Sequence, residues 1–81
     1  MAARVKLPEA LDGLLRSEFE KAIYESALSR EDDIIAKRYL IEKVPQIDIA
    51  AELGYERSTI SHRVSGIIKA VSKTAEKLKF T

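Results

Sequence analysis

Apolar side chains recur at three- and four-residue steps through most of the chain, and no stretch alternates polar and apolar long enough to predict a strand. A first helix is expected to begin near Pro8, because proline suits the first helical turn and wastes no donor there. Leu11, Leu15, Phe19, Ala22, Ile23 and Ala27 then form one apolar stripe, in which Gly13 is expected to be a mild penalty and not a break. The run Leu28 to Asp33 reads as a stop and restart: Ser29 can cap the next helix, and Glu31, Asp32 and Asp33 lie in its first turn, where the helix dipole favours carboxylates. Ile34, Ile35, Arg38, Tyr39 and Ile41 continue that helix, which must end around Val44 because Pro45 disfavours helical geometry in the residue before it.

A short helix is predicted from about Pro45 to Leu53 with Ile49, Ala50 and Leu53 inward, and Gly54 ends it by accepting a left-handed conformation. The last helix runs from about Arg57 to Leu78. Its residues Ile60, Val64, Ile67, Val71, Thr74 and Leu78 alternate steps of four and three, the seam spacing of a packed helix pair. The expected fold is therefore all-α: four helices containing a helix-turn-helix, with a long C-terminal helix. The 81 residues leave room for a single domain, 1–81, with an N-terminal helix over 1–28, a core over 29–69 and a C-terminal helical extension over 70–81.

Composition adds modest constraints. Hydrophobic residues make up 46% and charged residues 33%, so the core is small and oligomerisation is a reasonable further source of burial. With no cysteine, disulfides, thiolate metal sites and cysteine nucleophiles drop out together. The opening Met1 to Lys6 holds no apolar run fit for a signal peptide or membrane span, so the expectation is a cytoplasmic protein with no membrane partner.

Net charge is only +1, but it is polarised. Glu9 to Asp33 carries eight acids against three bases, whereas Arg57 to Thr81 carries six bases against Glu76 alone. Such a chain can offer a basic end to phosphates while staying nearly neutral; the alternative is a set of solvated helix faces.

The stretch from Gln46 to Ile67, QIDIAAELGYERSTISHRVSGI, carries the functional expectation. Ala50 is small where two helices cross closely, Leu53 and Ile60 fill the space between them, Gly54 makes the tight turn, and Val64 continues the buried face. The opposite face of the second helix is then free to enter a major groove roughly 12 Å wide. On it lie Arg57, Ser58, Ser61, His62 and Ser65, with Thr59 and Arg63 placed for the flanking backbone. Arginine can contact guanine bidentately, and serine can bond to bases or phosphates. Gln46, at the start of the supporting helix, can donate to a phosphate with that helix's dipole behind it, and Lys69, Lys73, Lys77 and Lys79 either extend the phosphate track or form a solubilising face.

The residues LSRED at 28–32, RYL at 38–40, DIAAELGYERST at 48–59 and ISHRV at 60–64 resemble the fourth conserved region of bacterial sigma factors, the domain that reads the upstream promoter element. The resemblance covers Leu28 to about Lys69, roughly half of the chain. It implies that Arg57, Ser58 and His62 lie where that family reads bases, and Thr59 and Arg63 where it meets the backbone. LuxR-type regulators have a similar helical pattern, but their usual histidine position corresponds here to Arg63. Lys43 stands where the sigma family often has glycine, and Glu56 where a serine usually caps the reading helix. The length leaves no room for the other sigma regions, so the resemblance implies a stand-alone domain, as in small regulators of phages, plasmids or other mobile elements.

Other chemistries find little footing. His62, the single histidine, has no companions for a metal site and no partnered nucleophile, so no metal, no cofactor and no enzyme activity is expected. Tyr55 can stack on sugar-phosphate or serve as a lid on the core. The last helix's seam can pack on the first helix or in part pair with a second chain, and a homodimer with the terminal helices as the contact surface is expected because two copies double the base contacts at half-sites about one DNA turn apart. The leading expectation is sequence-specific binding of double-stranded DNA through the major groove in transcriptional control. The alternative is a helical adaptor that binds RNA polymerase or another protein without reading DNA, supported by the acidic first helix.

Overall fold

The computed structural model describes residues 7–79; the ends of the expected N- and C-terminal segments, at 1–6 and 80–81, lie outside them. It is all-helical, with no strand among the described residues. A single 3-10 turn, Glu9–Leu11, precedes four helices: α1 (Arg16–Glu25), α2 (Arg30–Ala36), α3 (Gln46–Leu53) and α4 (Arg57–Leu78).

The N-terminal stripe is not one helix. Gly13 takes a left-handed φ of 78° and breaks it, so Leu11 belongs to the separate 3-10 turn and packs against α4 with no exposed surface. Leu15 is left at the N-cap of α1, 65% exposed instead of in the stripe. Glu18 supplies the missing cap by accepting a hydrogen bond from the Leu15 N–H at 2.8 Å. From there the expected phase holds, and Phe19, Ala22 and Ile23 are buried. Ala27 falls outside the stripe too: at φ 52° it is the exposed left-handed residue after α1. Ser26 hydrogen-bonds Thr74 of α4 at 2.9 Å, which ties the end of α1 to the long helix.

The Ser29 hydroxyl caps α2 by accepting from the Asp32 N–H at 3.2 Å, with Glu31, Asp32 and Asp33 in the first turn as expected. Beyond Ala36 the helix widens into a π turn over Lys37–Ile41, where the Glu42 N–H donates to the Lys37 carbonyl. Helical structure stops at Ile41, slightly before the expected end, and Lys43 makes the exit at φ 61°, in the place where glycine would be unstrained. Pro45 then leads into α3, and Gly54 closes that helix at φ 77°.

Each element contributes to one core. Leu11, Ile23, Ile35, Leu40, Ile49, Ile60 and Val71 are all fully or almost fully buried. In α4, the seam residues Ile60, Val64, Ile67 and Val71 are buried inside this chain, joined by Ile68, Ser72 and Ala75, while Thr74 and Leu78 are half-buried. At about 1.5 Å per residue, α4 is as long as the molecule itself, whose greatest extent is 34 Å. Helix α4 packs against α3, α1, α2 and the 3-10 turn, with Arg63 in its first half meeting α2 and Thr74 in its second half meeting the end of α1.

Candidate nucleic-acid interface

The helix-turn-helix consists of α3, the three residues Gly54 to Glu56, and the first half of α4. Ile49 and Ala50 are buried and Leu53 is half-buried, so α3 meets α4 through the small and apolar positions expected. Gly54 carries the reversal, and the N–H of Tyr55 donates back to the Ala50 carbonyl at 2.9 Å.

At about 100° per residue, the buried arc of α4 through Ile60, Val64, Ile67 and Val71 fixes the opposite arc. Ser58, His62, Ser65, Lys69 and Lys73 fall on it, and all five are exposed. Ser58, Ser61, His62 and Ser65 line one shallow open depression. Arg57 and Thr59 are exposed in the first turn, and Lys77 is exposed near the last. Among the described residues, Arg57, Lys69 and Lys73 have no carboxylate partner, so their charge is not spent inside the fold. Lys79 is the left-handed residue that closes α4.

Both helices of the unit start without a side-chain cap. Pro45 precedes α3 and Glu56 precedes α4, and neither side chain bonds to the first turn. Gln46 is the first residue of α3 and is half-buried. The leading N–H groups of a helix have no intrahelical acceptor and attract anions; the start of α4 adjoins the turn, and the start of α3 lies at the opposite end of that helix.

Arg63 is placed differently from its neighbours. Its guanidinium pairs with Glu31 in the first turn of α2, lies 3.5 Å from Asp32, and sits 5.4 Å from the centre of the Tyr55 ring. The Tyr55 hydroxyl donates to the same Glu31 oxygen at 2.7 Å. Tyr55 is therefore neither a core lid nor free: 38% exposed, it is one corner of a triangle with Glu31 and Arg63. The hydrogen bonds from Arg63 and then Tyr55 hold the Glu31 carboxyl below the usual carboxylate range. The hydrogen bonds to Glu31 in turn push the Arg63 and Tyr55 pKa values upward.

A second clasp lies beyond the end of α2, in the π turn. Arg38 pairs with Glu52 of α3 through two nitrogens, one of them 3.1 Å from the carboxylate, and with Glu42 at 2.6 Å. The helical periodicity gave no sign of either clasp. The one available signal is that Arg38 and Arg63 lie near the margins of apolar stripes, where a long basic side chain can reach a neighbouring helix.

Among the described residues no group of histidines and carboxylates could hold a metal ion, and no helix is long and apolar enough to cross a membrane. The chain matches no protein-family model, no curated protein and no solved structure, so the interface stands on its own geometry.

Proposed function

We propose that this chain binds double-stranded DNA through its helix-turn-helix, laying the first half of α4 in the major groove, and acts in the cytoplasm as a small transcriptional regulator of the sigma region 4-like kind. One observation carries the reading: the arc of α4 opposite its buried seam is exposed from Ser58 to Lys73 and carries no apolar side chain. In this reading Arg57, Ser58, Ser61, His62 and Ser65 meet base edges, while Thr59, Lys69 and Lys73 meet phosphates. Gln46 and the uncapped start of α3 approach the backbone on the near side of the groove.

Two copies on half-sites one turn apart would double the base contacts. The seam of α4 is already covered within the chain, so a homodimer of this kind pairs through another surface. Selection of bound sequences from a random duplex pool tests the reading directly. Arg57→Ala is expected to relax one base preference, and Lys73→Ala to weaken all sequences alike and reduce the salt dependence by about one phosphate contact. No enrichment, or no effect of either substitution, would end it.

A second reading is favoured by α1, where Tyr24 is 80% exposed beside Glu20 and Glu25. An adaptor that binds a protein such as RNA polymerase would use that face. Failure to bind any duplex at low salt selects this reading over the first.

A further inference from the structure

The middle of the proposed reading helix holds a basic side chain that is already engaged. Arg63 is one turn beyond Thr59 and adjacent to His62, yet its guanidinium is held by Glu31, Asp32 and the face of Tyr55. These partners come from two different places, the first turn of α2 and the turn after α3. Because Tyr55 also donates to Glu31, the three side chains close into a ring of mutual contacts. To touch a phosphate, Arg63 would have to abandon an aromatic face and leave two carboxylates uncompensated beside a polyanion. Both losses oppose binding.

The placement of the ring suggests what it does. Ser29 caps α2, so the start of that helix is a fixed point. Arg38, in the π turn that continues α2, ties that segment to Glu52 of α3. Helix α2 is thus a beam braced to each helix of the helix-turn-helix, and the Arg63 brace is the one that bears on α4. A turn of α4 about its own axis moves Ser58, Ser61 and His62 off their targets together. Contact groups of this sort have to be held within about 0.5 Å and 10–20°.

We propose that Arg63 is a positioning residue of the DNA interface and not a phosphate contact: clamped by Glu31 and Tyr55, it fixes the rotation of α4 and neutralises the acidic start of α2 next to the duplex. This rests on the DNA-binding reading above. It inverts the ordinary electrostatic expectation, in which deleting an acid near DNA tightens binding and deleting an arginine removes one ionic contact.

The test uses the full chain and the duplex enriched by it, with affinity followed by fluorescence anisotropy across a range of salt. Arg63→Met and Glu31→Ala are each expected to lose about tenfold in affinity, and the double variant also about tenfold instead of a hundredfold, because both break one unit. The slope of log affinity against log salt should be unchanged by Arg63→Met. Glu31→Gln, which keeps an acceptor for both hydrogen bonds, should stay within about threefold of the parent. A slope reduced by about 0.9 in Arg63→Met, or tighter binding by Glu31→Ala, overturns the proposal. A double-mutant cycle in urea on the same proteins without DNA reads the clamp separately and confirms that each variant is folded. No coupling there overturns the clamp; coupling without any duplex binding by the parent chain overturns the DNA reading, and this inference with it.

Discussion

Replacing Ile60 by alanine probes the joint on which the interface depends. Ile60 has no exposed surface and starts the buried arc of α4, in the same core as Ile49 and Ala50 of α3. The substitution removes three buried carbons, worth about 2.4 kcal/mol at about 0.8 kcal/mol each. The cavity left behind raises the expected loss to about 3–4 kcal/mol. A domain of this size is stable by only about 4–12 kcal/mol, so the variant should remain folded at low temperature but with a much reduced margin. Unfolding entropy of about 2.1 cal/mol/K per residue makes a loss of about 3 kcal/mol equivalent to a Tm drop of about 18 °C. Urea denaturation followed by far-UV circular dichroism measures it, with an unchanged m showing that the same surface is exposed on unfolding. The matched control is Ile47→Ala, the same chemical change at a position 58% exposed in α3, for which a loss of about 1 kcal/mol or less is expected. Equal losses at the two positions would mean that the α3–α4 crossing is not a packed core, and the argued orientation of the polar arc would go with it.

Further outcomes follow from the backbone and from the charges. Ala27→Gly, at an exposed left-handed residue, is expected to raise stability by about 0.5–1 kcal/mol; an unchanged urea midpoint would refute the φ assigned to it. Gly54→Ala should lower stability by about 1 kcal/mol through backbone strain alone, since an added Cβ there meets nothing within 4 Å. Glu56→Ser places a side-chain cap where none exists and should add about 1 kcal/mol to stability, while tightening DNA binding by removing a carboxylate from the groove side; weaker binding would argue against that placement. Because the folded-state pKa of Glu31 is depressed below its ordinary 4.5, its contribution to stability is complete above that value and is lost as pH falls through the depressed one. Urea midpoints measured downward from about pH 6 should therefore fall less for Glu31→Gln than for the parent, and parallel curves would show that the carboxylate is not engaged.

The second half of the chain was far more legible than the first. Between Gln46 and Leu78 the apolar spacing, Pro45 and Gly54 gave both helices within a residue of their observed ends, because each signal there is local and all agree. The N-terminal stripe misled for an equally local reason. Leu11, Leu15 and Phe19 keep helical spacing on either side of a glycine, and spacing alone cannot tell a continuous helix from a turn followed by a restart. Packing Leu11 against α4 made the break at Gly13 worth its loss of helical hydrogen bonds. Ala27 and Lys43 hid for a related reason. Neither is a residue type that announces a positive φ, yet each sits where a helix must exit within a residue or two.

The amino-acid order alone determined the class of fold, the phase of the buried stripes of α3 and α4 and the polar composition of the outward face of α4, since periodicity and capping depend on neighbours a few residues away. Only the tertiary structure decided that, among the described residues, Arg57, Lys69 and Lys73 have no carboxylate partner while Arg63 spends its charge on Glu31. That pairing spans 32 residues and exists because α2 crosses α4 at one particular place. A crossing is set by how whole side chains interlock, and no pattern of hydrophobic and polar letters encodes it locally.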